Sequence, residues 1–426
     1  MMPRPRTSSR RSSHLPAELR GPLLAGTCIF VAAWLVISLV PAYRVWLYGD
    51  VRFYETWGNY MSNHLVPYRD FRIEYPPGAL PMFMLPVYLR KLAGYHGTYF
   101  FWFRAELLVL GLLVLVAMTY ALAQLGASRR RAYAALCFAG AGVILLGPIA
   151  LARFDYWPAL FAVAAVAALV ARRPMLACGF AAVGTTVKIF PVVLIPLALV
   201  ELWRRHERRA AAKGVGLAVA VVAVISVPFA IVGPHGMSWA LHRQLNRPLQ
   251  VESLGAAIFA AAHQIAGVHL HVAKGAGSDN LLGSGPHLAA TLSGILTLVA
   301  PLVVYALYLR SEGTREQLAA ASVAAVTAYI AFSKVFSPQY LVWLIPLVPL
   351  VGGRRGLRAS ALFFLIVGMT QIWEPYRYNA YYQSFPPWLT WLVVARDLLV
   401  VALVGVLIWP SGGNADELDP VRPAVV

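Results

Sequence analysis

Apolar runs long enough to cross a lipid bilayer recur along the whole of this 426-residue chain, and nothing constrains its fold more. A crossing needs about 17–25 predominantly apolar residues. "GPLLAGTCIFVAAWLVISLV", residues 21 to 40, and "YFFWFRAELLVLGLLVLVAMTYALAQL", residues 99 to 125, are of that kind. Hydrocarbon offers no partner to a bare backbone N–H or C=O, so such runs are helices. Composition agrees: 59% of the residues are hydrophobic and 13% are charged, where a soluble domain carries about a quarter charged. The fold class that follows is an all-α polytopic membrane protein.

The formal net charge is +18. In a soluble chain that would suggest nucleic acid. Here the basic residues gather between apolar runs, in both tails and in "SRRRA", "RRP", "RRHERRAAAK", "RSEGTRE" and "GRRGLR". The positive-inside bias makes these segments cytoplasmic. That orientation accounts for the charge with no nucleic-acid partner, and anionic lipid at "WRRHERRAAAK" is the second reading. The first run follows a basic stretch and shows no small-residue cleavage site, so it reads as an uncleaved signal anchor.

Fixing the basic clusters inside lays out the path. Residues 1–20 form a basic cytoplasmic tail, 21–410 the transmembrane domain and 411–426 a second cytoplasmic tail. About twelve crossings are expected, with long outer segments at 41–98 and 233–285. The proline-rich "YPPGALPMFMLPVYLRKL" reads as a helix at the outer interface rather than a span. Residues 175–202 must go out and back between two basic clusters. They are few for that, so two short half-helices meeting near Lys188 and Pro191 are expected. No repeat of fixed period is visible.

Several specific sites are absent. Cys28, Cys137 and Cys178 lie in apolar runs and give neither a disulfide framework nor a metal set. His263, His269 and His271 have no standard zinc spacing. "GAGSDNLLGSG" lacks the ending of a phosphate loop and reads as flexible loop. Neither Gly-x-Ser-x-Gly nor His-Glu-x-x-His occurs. No metal or cofactor is called for.

Unusual polar residues concentrate in the outer segments, which implies a polar cavity opening outward. Only 18 residues are Asp or Glu. Asp50, in "YGDVRFYETW", follows the first span. It is either an interfacial carboxylate paired with Arg44 or Arg52, or a general base for an attacking hydroxyl. Asp70 and Glu74, in "YRDFRIEYPP", are rivals, with ion pairs to neighbouring arginines as their plain reading. "RFDYWP" sets Arg153 and Asp155 at the start of a span, as a helix-terminus carboxylate or a ligand contact. Lys188 stands alone among apolar neighbours and needs an anion, for which phosphate is suited, unless it snorkels to an interface. Lys334 is similar but nearer an end. "HRQLNRPLQVESLG" offers Arg243, Asn246, Arg247, Gln250, Glu252 and Ser253 as groups able to hold hydroxyls.

Taken in order, the early outer Asp, "PYRDFRIEYPP", "RFDYWP", "KIFPVVLIPLAL", "NRPLQVESL" and "SPQYLVWLIPL" resemble the multi-spanning glycosyltransferases of the C-type fold. The similar group is glycosyltransferase family 87, the polyprenol-phosphate-mannose-dependent mannosyltransferases of actinobacteria. The resemblance runs over roughly residues 20 to 410. It implies an inverting transfer of a sugar, mannose first, from a polyprenyl-phosphate donor to an envelope glycolipid or glycan at the outer face of the plasma membrane. It also implies Asp50 as base, with Lys188, Arg153 and Lys334 toward the donor phosphate. Asp155, Glu74, Tyr75, Arg247, Gln250, Glu252, Gln339 and Tyr340 would meet sugar or acceptor. Some members carry two adjacent acids in the first loop, whereas Val51 follows Asp50 here.

Arabinofuranosyl transfer from a related lipid donor is the near alternative. A lipid-linked-sugar flippase is the alternative of another class. Such transporters show paired interrupted helices in two halves, and here only 175–202 is interrupted. Fold alone does not decide between them.

Overall fold

The computed structural model of the chain describes residues 16–40 and 49–409. The tail up to residue 15, Arg44 and the tail 411–426 lie outside the described residues. Among the described residues six helices are long and apolar enough to cross a membrane: Ala17–Leu39, Tyr99–Leu125, Arg208–Val232, Ser284–Leu309, Gly353–Trp373 and Pro387–Ile408. Shorter apolar helices lie between them, at Tyr156–Val170, Pro174–Val187, Leu254–Ala266 and Pro338–Leu350. The chain is thus an all-α polytopic membrane protein with one small sheet.

Local chemistry sets several boundaries. The Thr98 and Ser128 side chains accept from the N–H groups of Phe101 and Arg131 and start the helices Tyr99–Leu125 and Arg129–Leu146. Thr314 and Gln317 form a reciprocal capping box before Arg315–Phe332. The helix Tyr156–Val170 and the helix Arg315–Phe332 are rich in Ala and Val and buried almost all round. They form the centre of the bundle, where small side chains let backbones approach. Arg208–Val232 is the opposite case. Only Gly214 and Ala218 of its residues are buried, so it presents Val and Ile outward.

Residues 174–204 form two short helices, Pro174–Val187 and Leu194–Arg204, joined through a 3₁₀ turn at Phe190–Val193. Lys188 is extended at the break, with φ −155° and ψ 139°. Pro191 has no N–H to continue the ladder. This is the interrupted pair that the short spacing between basic clusters requires.

The proline-rich stretch forms a 3₁₀ turn at Pro77–Ala79 and a 13-residue helix, Leu80–Leu92. At about 1.5 Å per residue that helix is too short to cross a bilayer. It packs on Val51–Ser62 and on Tyr99–Leu125.

The glycine-rich part of the 233–285 segment is not a flexible loop. It is an antiparallel hairpin, β2 (His271–Gly275) and β3 (Ser278–Leu282), with β1 (Leu249–Gln250) on the other edge of β3. The register pairs Ala273 with Asn280 and Leu249 with Leu281. The two turn residues, Ala276 and Gly277, both have positive φ, 53° and 75°. Two-residue hairpin turns need that geometry, and glycine supplies it without steric cost.

The arginine-rich end is also more than solvated surface. Arg172 and Arg205 both pair with buried Glu201, at 2.5 and 2.8 Å. Arg204 donates to the carbonyls of Tyr308 and Ser311 and closes the end of Ser284–Leu309.

Candidate functional site

The helix Val51–Ser62, the strip Tyr75–Pro76, the Lys188 break and the segment 337–343 converge on one cavity of about 360 Å³. Asp50, Glu74, Lys188, Arg72, Arg243 and Arg247 bring charge to its lining. Trp57, Trp239, Tyr340 and Trp343 supply aromatic surface. Tyr75, Gln339 and the hairpin turn at Gly277 also reach it.

Asp50 immediately precedes the helix Val51–Ser62, and its carbonyl accepts from the N–H of Phe53 and Tyr54, at 3.0 and 3.2 Å. Its carboxylate pairs with Arg153, 103 residues along the chain, and not with nearby Arg52. Arg153 lies between Pro148–Ala152 and Tyr156–Val170, which fixes its backbone from both sides.

Lys188 stands at the break with its ammonium 2.6 Å from Asp155 Oδ1. The indole N–H of Trp343 donates to the same oxygen at 2.6 Å. The ammonium also lies 5.1–5.3 Å from the ring centres of Phe154, Tyr340 and Trp343. Trp343 is stacked between Phe190, at 3.8 Å, and Tyr340, at 4.2 Å. Lys188 is therefore held in an aromatic cage with its carboxylate built in.

Glu74 pairs with Arg243 at 3.0 Å, and its carbonyl accepts from Gln244. Arg72 and Arg243 both lie over the Trp239 ring, at 5.3 and 5.2 Å. Asp70 faces elsewhere. It pairs with exposed Arg69 at 2.8 Å and accepts from the Val66 N–H. The Arg69 hydrogen bond, helped by that N–H, draws the Asp70 pKa down to about 2.

The candidates from the sequence thus divide. Asp50, Glu74, Tyr75, Lys188, Arg247, Gln339 and Tyr340 share the cavity lining. Arg153 and Asp155 stand behind it, each paired with a lining residue. Gln250 and Glu252 are buried and bonded to each other, and Gln250 also donates to Ser337 at 3.1 Å. Lys334 donates to the Leu245 carbonyl at 2.6 Å and is not in the lining. Among the described residues no group of three or more His, Cys, Asp or Glu side chains is arranged to hold a metal.

Sequence reasoning passed over Arg72 and Trp239. The i,i+4 spacing of Trp239 and Arg243 on one helix, Pro234–Leu245, was the available signal.

On the far side of the Pro77–Gly78 turn lies a larger, apolar groove of about 750 Å³. Met61, Leu80, Met84, Trp157, Ile225 and Phe229 line it. Gly78 separates the two spaces. A Cβ there would sit 2.4 Å from Thr186 Oγ1 and 2.7 Å from the Thr186 backbone, so only glycine lets the strip lie on the end of the Pro174–Val187 helix.

No curated protein sequence matches the chain. The model of glycosyltransferase family 87 matches residues 73–338, more than half of the sequence. The matched stretch takes in Glu74, Lys188, Arg243 and Arg247 and begins after Asp50. With a mainly helical membrane fold around a charged, aromatic cavity, this chain belongs to glycosyltransferase family 87.

Proposed function

We propose that the protein is an inverting glycosyltransferase of C-type architecture that moves a sugar, mannose before arabinofuranose, from a polyprenyl-phosphate donor to a glycolipid or glycan acceptor. Transfer takes place at the outer face of the plasma membrane, and both termini are cytoplasmic. The six long helices, with the shorter ones between them, make about twelve crossings on this reading.

One observation carries the proposal. A carboxylate, Asp50, and an ammonium, Lys188, line one cavity, and a single strip of chain divides that cavity from an apolar groove. A sugar linked through phosphate to a long hydrocarbon has these three parts in that order. The cavity takes sugar and phosphate, and the groove suits the chain.

In the step proposed, an acceptor hydroxyl oxygen attacks the anomeric carbon from the face opposite the phosphate. The bond from that carbon to the phosphate oxygen breaks, and its electron pair leaves with polyprenyl phosphate. The hydroxyl proton passes to Asp50. Charge grows on the leaving phosphate, and cations fixed beforehand stabilise it without reorganising. Lys188, Arg72, Arg243 and Arg247 are the cations in the lining. Glu74, Tyr75, Gln339 and Tyr340 are among the hydrogen-bonding groups of the lining that would meet sugar and acceptor hydroxyls. Arg153 orients Asp50 as its ion-pair partner.

The test is transfer of radiolabel from polyprenol-phosphate-mannose into extracted lipid acceptors, in membranes containing the protein. Label in glycolipid supports the reading. Absence of label from this donor and from lipid-phosphate arabinose alike would sink it and favour a flippase.

A further inference from the structure

A second group of charges lies behind the cavity, and the proposed transfer makes no use of it. Glu252 follows β1, Glu374 ends the helix Gly353–Trp373, and Arg396 and Asp397 belong to Pro387–Ile408. Arg396, Asp397 and Glu252 are 0%, 1% and 3% exposed. Glu374 is partly exposed as a residue, but its Oε2 is closed off.

The cations do not match the acids. Arg396 Nε lies 2.9 Å from Asp397 Oδ1, and its Nη2 donates to the Glu252 carbonyl at 2.9 Å. Arg153 is the other cation within electrostatic reach of Glu252 and Glu374, and it already pairs with Asp50. Glu252 Oε1, Glu374 Oε2 and both Asp397 oxygens are enclosed and accept no hydrogen bond. Three acids therefore face one guanidinium of their own and a share of a second. Three tyrosines near the cluster are engaged elsewhere, while the Trp373 indole N–H and Arg396 Nη1 are enclosed with no hydrogen-bond partner. Tyr378 donates to Asp279 at 3.1 Å, Tyr381 donates to the Val251 carbonyl at 3.2 Å, and Tyr340 lies against the Lys188 ammonium. An unpaired buried carboxylate is far costlier than a protonated one.

From this imbalance we infer that Glu252 and Glu374 keep one proton between them at neutral pH, and that this proton leaves Arg153 to pair with Asp50. Gln250 already donates to Glu252 Oε2, which leaves Oε1 to carry the proton when it is on Glu252. Burial pushes both carboxyls up, Glu374 to about 7. When both acids ionise, two carboxylates compete with Asp50 for one guanidinium. Glu374 and Glu252 are then positioning residues, acting through Arg153. This second half rests on the reading of Asp50 as base.

Infrared spectroscopy of the purified protein in lipid nanodiscs tests the shared proton without any assay of transfer. Wild type should show a protonated-carboxyl band that shifts in D₂O and vanishes as pH is raised through neutrality. Glu252→Gln and Glu374→Gln, which mimic the protonated side chain in shape, should each remove the titrating band, while Glu374→Asp keeps it. A wild type without the band, or a band that survives in both Gln variants, overturns the couple.

The pH profile of transfer tests the link to Asp50. Wild-type kcat should fall on the alkaline side in step with the band, and Glu374→Gln should abolish that fall. An unchanged alkaline fall in Glu374→Gln overturns the link. A protein with the band and no transfer would refute the proposed reaction and leave the couple standing.

Discussion

Lys188 and Asp155 meet at 2.6 Å across two short helices, and Trp343 donates to the same Asp155 oxygen. Asp155 is 1% exposed. Removing one partner strands the other charge in a site it cannot leave. Asp155→Asn and Lys188→Met should each cost roughly 3–5 kcal/mol of stability. The double variant should lose much less than the sum, because no charge is stranded. Unfolding in detergent micelles, followed by intrinsic fluorescence, measures all three. Additive losses would mean that the pair does not act as a unit.

Asp50 and Asp70 are separated by their surroundings rather than by their chemistry. Asp50 lines the cavity, whereas Asp70 is tied to Arg69 on an exposed loop. Asp50→Asn should lower kcat for transfer by about 10²–10⁴-fold, the range of general base catalysis. Asp70→Asn should leave kcat near wild type. Equal folded amounts, checked by size exclusion, make the comparison fair. A silent Asp50→Asn would move the base to Glu74, the remaining carboxylate in the lining.

Gly78 couples the outer strip to the Lys188 break without touching the cavity itself. A Cβ at this position meets Thr186 side chain and backbone at 2.4–2.7 Å, and the Gly78 carbonyl accepts from Trp157 at 3.1 Å. Gly78→Ala must push the strip off the end of the Pro174–Val187 helix. A misplacement of about 1 Å costs on the order of 10²-fold in rate. The expected outcome is a large fall in transfer, with a modest loss of thermal stability. Normal transfer in Gly78→Ala would show that the contact relaxes freely.

These relationships also mark what the sequence carried and what it did not. The interrupted pair was legible, because Lys188 and Pro191 stand together in an apolar run too short for two full spans. The short helix Leu80–Leu92 was legible from its prolines. Arg208–Val232 was easy to find because its apolar run is long and uninterrupted, while Tyr156–Val170 and Arg315–Phe332 are shorter and packed at the centre by alanines. Partnerships were not legible. Local spacing suggested Arg52 for Asp50, whereas tertiary packing brings Arg153, and the needed anion for Lys188 is Asp155 from within the chain. Glu252 sat in a stretch rich in hydroxyl-binding groups, and only the fold reveals it as buried. The hairpin at 271–282 was hidden by its glycines, which mark a turn and a flexible loop alike.

Trp239 organises one wall of the cavity by lying beneath two guanidiniums, Arg72 and Arg243. Cation–π contacts of this kind are worth about 0.5–2 kcal/mol each. They exist before substrate arrives, so their loss should weaken donor and transition state alike. Trp239→Ala should therefore raise KM for the donor about tenfold and change kcat little, and Trp239→Phe should recover most of the loss. A fall in kcat with KM unchanged would instead assign Trp239 to the transition state.

Glu374 makes stability depend on pH in a direction opposite to Asp70. Burial raises the Glu374 carboxyl from its ordinary 4.5 to about 7. A raised acid contributes stability that is fully present below its unfolded value and is lost as pH rises through the folded one. Asp70, drawn from 3.8 to about 2 by Arg69, contributes stability above its unfolded value and loses it as pH falls through about 2. Near neutrality only the first effect operates. The thermal midpoint of the wild type in micelles should therefore fall between about pH 5 and about pH 8. Glu374→Gln holds the neutral form at every pH, so its midpoint should stay nearly level and exceed that of wild type at the alkaline end. A wild-type midpoint that rises across this range would show Glu374 ionised and paired throughout.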